Sequence, residues 1–248
     1  MKVVLARVAI LAVLLAGWEM VARFLNPLLY VPPSKALPAL IRLLSLIPFP
    51  YLPEHLWLTL REILVAYGMA VAAGLGFGFG LGLWRTLGQI YGPILSALYA
   101  VPSVVWYPSL MLFFGLDAAS KIAFGFLLGF FPIALTVLAG IRQVDRHLVT
   151  VACSMGARPF TLFVKVLVPS MASTLVSGLR AGLALSVVGV IVGEVLGSRA
   201  GLGHLLNYTY GLFMTPEYVA LVFVAVVIVL TIDGLAALFE RRTKRWSG

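Results

Sequence analysis

Six long apolar stretches decide what this chain can become. They run over Val3–Phe24, Ile63–Trp84, Tyr91–Phe114, Ile122–Ile141, Leu175–Leu196 and Tyr218–Phe239. Each is close to the ~20 residues an α-helix needs to cross a hydrocarbon core. None shows the alternating polarity over about ten residues that marks a barrel strand. Only 11% of the 248 residues are charged, against about 25% in soluble domains. The sequence therefore predicts an all-α membrane protein, with six transmembrane helices in one transmembrane domain over residues 1–248.

The formal net charge of +9 does not point to nucleic acid. Basic side chains of membrane proteins gather in cytoplasmic segments and meet anionic headgroups. With the N-terminus inside, eleven lysines and arginines fall on the inner side and six on the outer. Both termini are thus expected in the cytoplasm. The basic start and apolar core of Val3–Phe24 also fit a signal peptide. However, Trp18-Glu19 stands where small cleavage-site residues belong, so an uncleaved span is the reading.

Asn26–Leu60 carries Pro27, Pro32, Pro33, Pro38, Pro48, Pro50 and Pro53 around a helical apolar pattern at Leu37–Ile47. It reads as an interfacial helix between proline-rich connectors. In the second span Gly74, Gly78 and Gly82 recur every four residues, with Gly76 and Gly80 between them. A phosphate-binding loop would need a Lys and Ser/Thr behind the glycines, and neither is present. On a helix the four-residue spacing makes a smooth face for close helix approach. The third span holds Pro93, Pro102 and Pro108. Such prolines either bend a helix for packing or free carbonyls beside a water-lined path. Gly197–Pro216 reads as a loop.

Ionisable residues in the spans are few: Arg180, Glu194 and Asp233. Arg180 either snorkels to the inner headgroups or serves an inner gate. Glu194 either pairs with a loop residue such as Arg199 or meets the solute. Asp233 caps or pairs near the inner face. Ser186 is a polar residue within the fifth span. No Ser/His/Asp set, paired carboxylates or HExxH motif is present, so an enzyme is not expected. One cysteine and three scattered histidines offer no disulfide and no metal site.

Val144–Pro169 is the longest stretch after Ile63 that does not read as a span. Asp145 can cap a first helical piece, Gly156 breaks it, and Pro159 suits the start of a second. Leu148, Val151, Ala152 and Met155 recur at helical spacing. Such an apolar face either packs back on its own bundle or docks on a cytoplasmic protein.

Residues Val149–Pro169, VTVACSMGARPFTLFVKVLVP, resemble the coupling motif of ABC importer permeases of the binding-protein-dependent type. Ala152, Gly156 and Pro169 match that motif. Thr150 and Val151 stand in place of its glutamate and first alanine. The VPPS run Val31–Ser34, FFGL at Phe113–Leu116, FFPI at Phe130–Ile133, GLRAGLALS at Gly178–Ser186 and VGEVLGSRAGLGHLL at Val192–Leu206 are similar to the nitrate/sulfonate/taurine-type subgroup. That group also includes pyrimidine and riboflavin permeases.

The resemblance implies a permease in the cell membrane of a prokaryote, multi-pass and without a cofactor of its own. It also implies a homodimer, cytoplasmic ATPase subunits that carry ATP and Mg, and an external solute-binding protein. Thr150, Val151, Ala152, Met155, Gly156, Ala157, Pro159 and Pro169 would form the ATPase-coupling elbow. Pro102, Pro108, Arg180, Ser186 and Glu194 are the residues expected at the path or gate. The expected solute is a small oxyanion such as nitrate, a sulfonate or taurine. The alternative is a vitamin or its precursor. An ATP-independent carrier or channel is the rival class, and it would call for midplane carboxylates that this sequence has in small number.

Overall fold

The computed structural model describes residues 2–25, 30–46 and 49–244. Pro27, Pro48, Arg245 and the end of the expected Leu37–Ile47 helix lie outside them. All regular structure among the described residues is helical. Among the described residues, five helices are long and apolar enough to span a membrane, and a sixth span is completed if one sharply bent pair counts as one.

The helices are α1 (Lys2–Phe24), α2 (Pro33–Leu44), α3 (Leu52–Leu83), α4 (Arg85–Ala100), α5 (Tyr107–Phe114), α6 (Ala118–Gln143) and α7 (Arg146–Ser154). They continue with α8 (Pro159–Leu162), α9 (Val168–Ser170), α10 (Ala172–Gly197), α11 (Leu202–Gly211) and α12 (Thr215–Lys244). The chain forms two compact units, Met1–Leu58 with Glu194–Ile228, and Thr59–Gly193 with Val229–Gly248.

In the first unit α2 and α11 pack on α12. Ala39 and Leu43 meet Leu202, Leu205, Leu206, Ala220 and Leu221 in one buried cluster. Pro33 opens α2 at a position where its missing N–H is no loss. The Glu19 carboxylate of α1 accepts from the Ser34 backbone N–H at 3.1 Å and from its hydroxyl at 2.8 Å. A carboxylate at a helix N-terminus satisfies orphan donors and opposes the positive end of the dipole. This ties the Trp18-Glu19 pair to the VPPS run.

In the second unit the glycine face of α3 lies on α6. A Cβ at Gly74 would come within 2.7 Å of Ile133, and one at Gly78 within 2.6 Å of Val137. One at Gly82 would collide with Ile141, whereas Gly76 and Gly80 face open space. The four-residue stripe thus selects the packed face, as its spacing predicts.

Several expected boundaries are corrected. The helix that carries the second apolar stretch begins at Leu52, ahead of Ile63, because LPEHLWLTLRE continues it across its charges. His55 and the buried Glu62 therefore lie on a spanning helix. The loop expected at Gly197–Pro216 contains α11, whose Leu202, Leu205, Leu206 and Thr209 are buried at helical spacing. The third span is not one kinked helix. α4, which already starts at Arg85, stops at Ala100, and the chain resumes at Ser103 with a bend of 87°. Pro102 supplies no N–H and holds Val101 extended, which ends α4 there.

Candidate functional site

The segment after α6 folds as a helix–turn–helix. Asp145 caps α7 by accepting from the His147 N–H at 2.8 Å. Thr150 turns its hydroxyl back onto the Arg146 carbonyl at 2.9 Å. The helix closes with a Schellman turn: the Gly156 N–H reaches the Cys153 carbonyl and the Ala157 N–H that of Ala152. Gly156 sits at φ +78°, the left-handed position that glycine takes without a Cβ penalty. Arg158 is then extended and Pro159 opens α8. A π-helical turn, Phe163–Leu167, precedes Pro169. Pro169 has no N–H for the α-helical bond, and a wider turn accommodates that loss.

No residue of α7 is buried. Met155 is 83% exposed and Phe160 78%. Leu148, Val151 and Val164 are exposed beside them, so the apolar face foreseen from spacing is uncovered on the isolated chain. Beside it lies a cavity of about 710 Å³ lined by Arg85, Arg142, Arg146, Gln89 and Thr150, among others. Arg142 and Thr150 thus come together around one basic hollow.

The residues expected at a path or gate lie on several different elements. Pro102 lines a cavity at the α4–α5 break, while Pro108 lies in the first turn of α5. Ser186 is fully buried on α10, and its hydroxyl fills the space that a side chain at Gly129 of α6 would need.

Arg180 forms a two-pronged ion pair with Asp233 of α12, Nε to Oδ1 at 2.9 Å and Nη2 to Oδ2 at 2.8 Å. A paired guanidinium has less need to snorkel, so the two charges that sequence treated separately form one unit.

Glu194 is buried, and its carboxylate accepts from the Gly203 N–H at 2.7 Å. It anchors the N-terminus of α11; the expected Arg199 is not the partner found there. Gly201 lies against the same carboxylate, and its N–H donates to His55 Nδ1 at 2.8 Å.

Sequence reasoning also missed Tyr107, whose hydroxyl donates to the Gly193 carbonyl at 2.6 Å. The contacts of the buried Lys121 were not foreseen either: its ammonium donates to the carbonyls of Leu116 and Asp117 in the turn between α5 and α6. The signal for Lys121 was its place just after the Gly115 turn. No group of three metal-ligating side chains occurs among the described residues.

Residues 70–245, which include the helix–turn–helix, the broken third span and α10, match the family described as binding-protein-dependent transport system inner membrane component. The chain belongs to that family. The permease is 30% identical over 244 residues to the taurine transport system permease protein TauC of Escherichia coli, covering 96% of this chain and 88% of that one. It is 35% identical over 163 residues to the riboflavin transport system permease protein RibX of Chloroflexus aurantiacus, covering 65% of this chain and 60% of that one. Its fold is similar to a chain of the MetNI methionine ABC transporter in an inward-facing conformation. The TM-score is 0.61 at 23% identity, covering 78% of this chain and 98% of that chain. The protein is thus an ABC importer permease, multi-pass in a membrane, in a family without a cofactor of its own. Such permease subunits are not themselves enzymes.

Proposed function

We propose that this permease is the membrane pathway of an ATP-driven importer in a prokaryotic cell membrane, with both termini in the cytoplasm and residues 1–248 acting as one transmembrane domain. Two copies form a homodimer, and an external solute-binding protein delivers the solute. Separate cytoplasmic subunits bind ATP and Mg and hydrolyse the nucleotide. The α7–α8 elbow docks into them, and their closure rocks the spans between outward- and inward-open states.

The observation that carries this reading is the uncovered apolar face of the elbow. Leu148, Val151, Met155 and Phe160 stand exposed on a capped, Schellman-closed helix–turn–helix. An apolar face held this rigidly suits docking, because little conformational freedom is left to lose on binding. Thr150, Val151, Ala152, Met155, Gly156, Ala157, Pro159 and Pro169 are the proposed coupling residues. The solute belongs to the range spanned by taurine and riboflavin, which the two curated relatives carry by name.

Reconstitution tests the reading. Proteoliposomes holding the permease with its ATPase and binding protein should accumulate solute only with ATP inside the lumen that represents the cytoplasm. Equal uptake by the permease alone, without nucleotide, would instead assign it to the carriers or channels.

A further inference from the structure

The break between α4 and α5 encloses a cavity of about 280 Å³. Three rings stand in its wall, Tyr99 before Pro102, Trp106 after it, and Phe131 from α6, with Leu128, Leu185 and Ser103 between them. The Tyr99 and Phe131 rings lie 6.0 Å apart with planes inclined at 37°. No Lys, Arg, His, Asp or Glu lines the cavity.

We propose that this cavity is a solute station in the translocation path, and that it takes a small, planar, uncharged nitrogen heterocycle of one or two rings. The inference rests on the reading of the protein as an importer permease. Ligand pockets start at about 300 Å³ and are mostly apolar with a few polar groups, which limits the occupant to a compact molecule. Aromatic walls hold planar rings by offset or edge contacts. Residues Leu98–Val101 at the carbonyl end of α4 form one rim. The carbonyl end of a helix is electronegative and offers acceptors. Ring N–H and amino donors are matched there, whereas an oxyanion would meet a like partial charge. An oxyanion would also leave its hydration shell with no cationic side chain to replace it, at a large desolvation cost. The cavity therefore departs from the small-oxyanion expectation and favours the vitamin-precursor alternative. In a bilayer the rival occupant is a lipid acyl chain, which needs neither the rings nor the acceptors.

The test uses the permease–ATPase complex in lipid nanodiscs without the binding protein. Radiolabelled cytosine is the probe and taurine the competitor, and ATP hydrolysis is recorded on the same samples. Cytosine should bind saturably and resist displacement by excess taurine. Trp106→Leu and Phe131→Leu should each weaken binding by roughly tenfold, the range of a lost stacking contact, while Phe131→Tyr should stay near wild type. Displacement by taurine, indifference to both leucine variants, or absence of cytosine binding would each overturn the proposal. If ATP hydrolysis persists in that case, the importer reading stands and only the station fails. If no ATPase associates at all, the importer reading itself has failed.

Discussion

At Gly201 the backbone sits at φ +104° and ψ 170°, a region open to glycine almost alone. The same residue leaves no room for a Cβ beside the Glu194 carboxylate, which in turn holds the Gly203 N–H. Gly201→Ala should therefore lower stability by about 1–3 kcal/mol from backbone strain alone. Gly211→Ala, on the same helix with no atom within 4 Å of the added carbon, should be near neutral. Thermal unfolding in detergent checks the contrast, and equal melting temperatures would refute it. The sequence marked Glu194 as an intramembrane acid that needed a partner, and that much was legible. It did not reveal that the partner is backbone N–H, because donors at a helix end become visible only once α11 is known to be a helix. Arg180 and Asp233 were hidden differently. They lie 53 residues apart, and only the packing of α10 on α12 brings them to 2.8 Å.

Among the elements, the glycine seam of α3 was the clearest feature to read. Its spacing identified the close-packed face, but not that Ile133, Val137 and Ile141 of α6 would fill it. Gly78→Ala should force α3 and α6 apart, since the new carbon would meet the Val137 Cβ at 2.6 Å and the Ala134 carbonyl at 2.9 Å. A backbone carbonyl cannot rotate away as a flexible side chain can, so this variant should lose stability. Gly76→Ala faces open space and should gain up to about 1 kcal/mol from helix propensity. Chemical denaturation in mild detergent measures both, and a destabilised Gly76→Ala would contradict the assignment of faces. The third span was legible only as bent. Three prolines signalled a distortion, but the full break at 87° needs Val101 extended ahead of Pro102. α11 was missed for another reason. Its tyrosines and flanking glycines resembled loop chemistry, although Leu202, Leu205, Leu206 and Thr209 already carried the helical period.

For the whole molecule, the proposed coupling to a separate ATPase rests on the helix–turn–helix of α7 and α8 and on its exposed apolar face. The helix–turn–helix was readable from Asp145, Gly156 and Pro159, since each supplies a local device: a cap, a left-handed turn and a helix start. Its exposure was not readable, because sequence left open whether Leu148 and Val151 pack back on the bundle. In the structure they do not. The most direct measurement is therefore co-purification of the ATPase subunit with wild-type permease and with Met155→Asp, in mild detergent. Met155 is 83% exposed, so the substitution should leave folding intact. An ATPase should co-purify with the wild type and be lost from a normally folded, membrane-inserted Met155→Asp protein, together with ATP-driven uptake. Full retention of the ATPase and of uptake in that variant would contradict docking through this face.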